Sequence, residues 1–169
     1  KLTILAIETS CDDTCAAIIR ASGKKRVSFK ILSNIVSSQA EIHKKWGGIY
    51  PTLAKREHQR NLVPVLKKAL KEAGLLKISN SQFFLPAAYL SGRQAYLSGR
   101  QGRQGLPAGR QGTPNFQKLR EILEREPDLA KKLTNFLKKY EKPKIDAIAI
   151  TVGPGLEPCL WVGVNFAKA

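Results

Sequence analysis

Residues 2–7 (LTILAI) form an apolar run of the kind a buried strand shows. Thr9 to Thr14 is polar and turn-like, and residues 15–20 (CAAIIR) read as a second strand that closes a hairpin. Val27, Phe29 and Ile31 alternate with Ser28 and Lys30, which predicts a third strand continuing toward Val36. Gly23 and its neighbouring lysines make the turn before it, and Gly47-Gly48 breaks the chain after it. Helical spacing starts near Pro51, where a missing N–H costs little because the first helical amides lack partners anyway. Leu62, Leu66, Ala69 and Leu70 share one face of that helix, and Gly74 is its predicted stop. Pro64 lies inside the pattern and predicts a kink or a split, since its ring removes one bond of the helical ladder.

Residues 87–112 lose all periodicity. AYLSGRQ occurs in tandem at 88–94 and 95–101, and GRQ returns at 102–104 and 109–111. Such a composition cannot bury a core and is expected to be disordered, as a repeat inserted into a tolerant loop or as an Arg/Gly nucleic-acid arm. Helical spacing resumes behind a cap-like Thr113-Pro114, with Phe116, Leu119, Ile122 and Leu123 on one face. Pro127 opens another helix, with Leu129, Leu133, Phe136, Leu137 and Tyr140 on one side. Residues 145–152 (IDAIAITV) are nearly all apolar, the pattern of a strand in the buried middle of a sheet. Gly153-Pro154-Gly155 is a tight turn, and residues 157–168 return to helical spacing. The sum is an α/β lobe with a mixed sheet and flanking helices. It divides into 1–75, a 76–142 insertion and 143–169.

Charge changes the picture. The chain of 169 residues has a formal net charge of +16, which points to a polyanion partner, nucleic acid first. Residues 76–142 hold 13 Lys and Arg against 5 Asp and Glu, so half of the net charge sits in the insertion. No apolar run reaches membrane-span length and no segment reads as a secretory leader, which leaves a cytoplasmic address and no membrane partner. Cys11, Cys15 and Cys159 are odd in number and lack metal-type spacing, so they read as small buried apolar residues. His43 and His58 read as surface or partly packed residues rather than catalytic bases.

Three stretches carry candidate chemistry. Glu8-Thr9-Ser10-Cys11-Asp12-Asp13-Thr14 sits at a strand turn, where hydroxyls and free amides can hold phosphate oxygens. Its three acids repel phosphate and would act through a cation, water or a polar substrate group. A turn chosen for Asp geometry is the simpler reading. Gly153-Pro154-Gly155 follows a strand and precedes a helix, where ligands of α/β sheets bind; a plain strand-to-helix turn is the even alternative. Lys55, Arg56 and Arg60 form a basic helix surface that suits RNA phosphate, or simply a solvated face.

ILAIETSCDDT, SNIVSSQAEIHKKWGGIYPTLAKREHQRNLVPVLKKAL and IDAIAITVGPGLEPCLWVGVNFAKA together resemble the tRNA N6-adenosine threonylcarbamoyltransferase family, formerly labelled O-sialoglycoprotein endopeptidase. The blocks keep the family's order and spacing apart from residues 76–142. Ala6, Thr52, Lys55 and Glu157-Pro158 depart from its usual residues. The resemblance implies the N-terminal lobe of an actin/hexokinase-like ATPase fold, truncated before the C-terminal lobe. It implies transfer of threonylcarbamoyl from threonylcarbamoyl-adenylate to N6 of the adenosine beside the tRNA anticodon. It places Thr9, Ser10, Asp12, Asp13, Gly153 and Gly155 as nucleotide-side candidates, and Lys55, Arg56 and Arg60 on a surface for tRNA or a homologous partner subunit. One divalent metal, iron or zinc, is implied for the full-length protein, with ligands after Ala169 and none held here. No catalytic residue is assigned, and the fragment alone is expected to be inactive. A non-catalytic paralogous partner subunit and a small-molecule kinase of the same superfamily remain alternatives. The old peptidase label finds no metal or nucleophile motif here.

Overall fold

A computed structural model describes residues 1–23, 26–79 and 115–169. The repeat at 87–112 and the Thr113-Pro114 pair lie outside the described residues.

Strand β1 (Leu2–Glu8) pairs antiparallel with β2 (Asp13–Ser22), and β2 pairs antiparallel with β3 (Ser28–Ser38). A short helix α1 (Ala40–Lys44), not foreseen from the sequence, precedes α2 (Pro51–Glu72). Helices α3 (Phe116–Ile122) and α4 (Pro127–Lys139) follow, then β4 (Ala147–Ile150) and α5 (Glu157–Lys168). The sheet order is β3-β2-β1-β4, with β4 parallel to β1. The mixed α/β lobe read from the sequence is therefore what the chain forms.

Leu5, Ile7 and Thr9 alternate inward along β1 and its exit, as do Thr14, Ala16 and Ile18 along β2. Leu62, Leu66 and Leu70 of α2, with Val162 and Phe166 of α5, complete the core over that face. Leu119, Leu123, Leu129, Leu133 and Phe136 of α3 and α4 extend the same core along α2. The segment between α2 and β4 is closed at its base: Ile78 bridges Tyr140, Ser79 N donates to Lys139 O, and Glu141 N donates to Lys77 O.

The structure departs from the sequence expectations in three places. Val27, Phe29 and Ile31 are exposed, not core. The β2–β3 register slips between Ile18 and Ile19, which pair with Ser33 and Ile31. Leu32 is the extra residue of that bulge, and one extra residue sends every side chain before it to the opposite face. Among the described residues the β4 strand lies at the end of the sheet rather than in its middle, and Ala147, Ile148 and Ala149 are exposed. Helix α3 is capped by Asn115, whose side chain accepts from Lys118 N.

The third departure concerns Pro64, which does not split α2. Proline at 64 leaves the carbonyl of Arg60 without its helical donor. Lys132 Nζ of α4 donates to that carbonyl at 3.2 Å. A neighbouring helix thus supplies the missing proton.

Candidate functional site

Because β1 and β4 run parallel, the turns leaving their C-terminal ends emerge side by side. The Ser10 carbonyl accepts from Leu156 N at 2.7 Å. A Cβ at Gly155 would lie 2.6 Å from Ser10 O and 2.7 Å from Ser10 Cβ, so only glycine lets the two turns touch. The hairpin site and the Gly-Pro-Gly site, separate in the sequence, form one end of the sheet. Thr151 joins them, its amide donating to Ile7 O at 3.3 Å.

Within that end the candidates divide. Thr9 is fully buried, and its hydroxyl donates to Cys159 O at 2.9 Å. It clamps the hairpin to α5 and presents no hydroxyl to a ligand, because the alternation of β1 carries it inward beyond Leu5 and Ile7. Gly163 of α5 lies against the Thr9 side chain and leaves no room for a Cβ. Ser10 is half-buried, with its amide donating to Glu8 Oε1 at 2.5 Å. Burial pushes the Glu8 carboxyl up, but hydrogen bonds from Ser10 and Thr151 outweigh it and hold the group below the usual carboxylate value. Asp12 is half-buried, and its carbonyl accepts from Gln39 N at 2.9 Å. Asp13 keeps one buried carboxylate oxygen, Oδ1, without a hydrogen-bond partner. Ser10 and Asp12 thus stay partly exposed at this end of the sheet, Asp13 is half-buried with Oδ1 closed off, and Gly153 and Gly155 form the adjoining turn.

Both histidines are buried, which removes the surface half of the reading that had them exposed or partly packed. His58 is fully buried, with Nε2 3.1 Å from Cys11 O and Nδ1 2.8 Å from Thr14 Oγ1. A carbonyl only accepts, so Nε2 carries the proton and bare Nδ1 accepts from the Thr14 hydroxyl. Burial pulls the imidazole below its ordinary range, and the hydrogen bond to Cys11 and the nearby Glu8, Asp12 and Asp13 only partly oppose it. His43, 3% exposed, donates from Nε2 to Gln39 Oε1 at 3.0 Å and accepts from Tyr50 N at 3.3 Å. Gln39 thereby links His43 to the Asp12 carbonyl. Sequence reasoning missed this scaffold because Gln39, His43 and His58 share no motif; only the packing of α2 against β2 and β3 gathers them.

The basic candidates also separate. Lys55 faces Glu126 at 3.7 Å and lines a cleft of about 580 Å³ with Glu157 and Trp161. Arg56 and Arg60 line a different cleft of about 610 Å³ between α2 and α4, together with Asp128, Lys131 and Lys132. Arg60 is paired with Glu57 at 2.5 Å. The three cysteines are free; Cys159 is buried as expected, whereas Cys11 and Cys15 are half-buried. Burial pushes the Cys15 and Cys159 thiols up to about 11, so both stay protonated near neutral pH. Among the described residues no group of three His, Cys, Asp or Glu could hold a metal, and no helix is long and apolar enough to cross a membrane.

The model of the tRNA N6-adenosine threonylcarbamoyltransferase family matches residues 30–80 and 120–169, more than half of the chain. The chain belongs to that family. Threonylcarbamoyltransferases of this name from Persephonella marina and Phocaeicola vulgatus are 50% and 53% identical over 74 residues, 44% of this chain and 20% of each relative. One from Koribacter versatilis is 32% identical over 166 residues, 98% of this chain and 25% of that relative. The chain thus spans about a fifth to a quarter of the length of these curated threonylcarbamoyltransferases. Family membership makes the chain part of a transferase lineage concerned with tRNA modification.

Proposed function

We propose that this chain forms part of the N-terminal lobe of an enzyme that transfers threonylcarbamoyl from threonylcarbamoyl-adenylate to N6 of the adenosine beside the tRNA anticodon. The observation that carries the reading is the meeting of Ser10 and Gly155, which turns two distant motifs into one polar end of a sheet. Ligands of open α/β sheets bind at such strand ends.

In this reading Ser10 and the turn amides face the nucleotide's phosphate side. The half-buried Asp12 repels phosphate and instead accepts from hydroxyl or amine groups of the ligand. The N6 amine attacks the carbamoyl carbon and loses a proton. The bond from that carbon to the phosphate oxygen breaks, and AMP leaves. The target lies in a single-stranded loop, where a base is accessible. Residues 76–142 are an insertion on this lobe, and a homologous subunit and tRNA are the proposed partners in a cytoplasmic complex. The family's divalent metal finds no fitting ligand set among the described residues, and His43 and His58 are both committed to hydrogen bonds. No step is assigned to a metal on these residues.

The test supplies full-length protein with threonylcarbamoyl-adenylate and unmodified tRNA, and reads threonylcarbamoyladenosine by mass spectrometry of digested nucleosides. The parent is expected to form product. Asp12→Asn and Gly155→Ala are expected to lower it at least tenfold while the protein stays folded. Absence of product from the folded parent would sink the reading.

A further inference from the structure

We propose that Trp46 and Tyr50, flanked by Lys44 and Lys45, form a stacking platform for an unpaired base of an RNA ligand. The proposal rests on the reading of RNA as substrate. Trp46 is 58% and Tyr50 50% exposed, yet their rings already stack, with centroids 5.4 Å apart and planes 20° apart. A ring pair serving the core would be covered. This one keeps about half of its surface in water and offers a flat π face to whatever arrives.

The platform is held rigidly. Trp46 N donates to His43 O at 2.9 Å, and Gly47 N to Lys44 O at 3.2 Å. Gly47 turns the chain at φ 67°, a conformation that costs other residues energy. Tyr50 is the N-cap residue of α2, and its amide donates to buried His43 Nδ1 at 3.3 Å. His43 is tied to Gln39, and Gln39 N to the Asp12 carbonyl. The exposed rings and the candidate transfer site therefore share one hydrogen-bonded frame.

Charge selects the partner. Lys45 Nζ lies over the Trp46 ring, 5.6 Å from its centroid, so a base stacking on that face takes the place of the ammonium, which is left beside the base's phosphate. Lys44 meets Glu41 at 3.8 Å, but both side chains are more than three-quarters exposed, so that pair holds Lys44 only weakly. Lys45 over the Trp46 ring and Lys44 two positions before Trp46 in the chain, on a protein of net charge +16, match a phosphate next to an unstacked base.

The experiment measures binding of full-length protein to a single-stranded adenosine-rich RNA and to a duplex containing the same strand. Trp46→Ala is expected to weaken single-strand binding by about five- to 150-fold, the value of one base–aromatic stack, with duplex binding little changed. Trp46→Phe should restore most of the loss. Lys44→Ala or Lys45→Ala should lower the logarithmic salt slope by roughly one, whereas Trp46→Ala should leave it unchanged. Parent-like single-strand affinity in Trp46→Ala, with an unchanged unfolding midpoint, overturns the proposal. So does an equal loss on duplex, or loss of a protein partner with RNA binding intact. A parent that binds single strands through Trp46 but transfers no threonylcarbamoyl would discard the proposed function and keep the platform.

Discussion

His58 shows how much of this site is decided by one ring's protonation. Its neutral form donates to Cys11 O and accepts from Thr14, so a second proton on Nδ1 would reverse that bond and require the Thr14 hydroxyl to turn and accept. Burial lowers its folded pKa beneath the ordinary value of 6.5, so the unfolded chain takes up the proton first. Stability contributed this way is present above about pH 6.5 and is lost as pH falls below it. Glu8, whose folded pKa lies below 4.5, adds a separate loss only under that pH. The unfolding midpoint of the parent is therefore expected to fall between pH 7 and pH 5. His58→Gln is expected to be less stable at pH 7 but nearly flat across that range. A parent as flat as the variant would refute the neutral buried ring. None of this was legible in the sequence, where His58 reads as one polar residue among charged neighbours. Thr9 likewise belongs to a polar motif, and only the alternation of β1 turns it inward to Cys159.

At the scale of elements, one hydrogen bond adds to the apolar packing of α2 against α4. Pro64 removes the helical donor for Arg60 O, and Lys132 Nζ replaces it. Lys132→Ala is expected to lower stability by about 1 kcal/mol, since it strips the donor from that carbonyl. In a Pro64→Ala background the ordinary helical bond returns, and the same substitution should cost close to nothing. A double-mutant cycle by chemical denaturation measures this coupling; additive costs would show that Lys132 merely visits the carbonyl. The bulge at Leu32 is the counterpart in the sheet. Period-2 spacing announced β3 correctly, but the extra residue moved Phe29 and Ile31 off the core face.

For the whole molecule, charge is the property most visible from composition and least visible in its placement. The basic triplet of the sequence divides between two clefts, with Lys55 facing buried Glu126 and Arg56 and Arg60 facing Lys131 and Lys132 of α4. Replacement of Arg56 and Arg60 by Glu is expected to weaken tRNA binding and to lower the logarithmic salt slope by about two if both meet phosphate. Filter binding between 50 and 200 mM salt reads the slope. Unchanged tRNA binding, together with unchanged capture of a homologous subunit, would exclude this cleft from both roles.

Local pattern alone determined the identity of β1, β2, β3, α2, α4 and α5, because a run of φ and ψ angles and its apolar period are properties of adjacent residues. The residues themselves also carried the family resemblance that the comparisons bear out. Tertiary structure alone decided which faces are covered, that β4 lies at the end of the sheet among the described residues, and that both histidines are buried. It also brought Ser10 to Leu156 and Thr9 to Cys159, partners 146 and 150 positions apart. Contacts at such separation depend on the register of β1 against β4 and on the seating of α5. No local period encodes either, and the candidate site exists only once both are set.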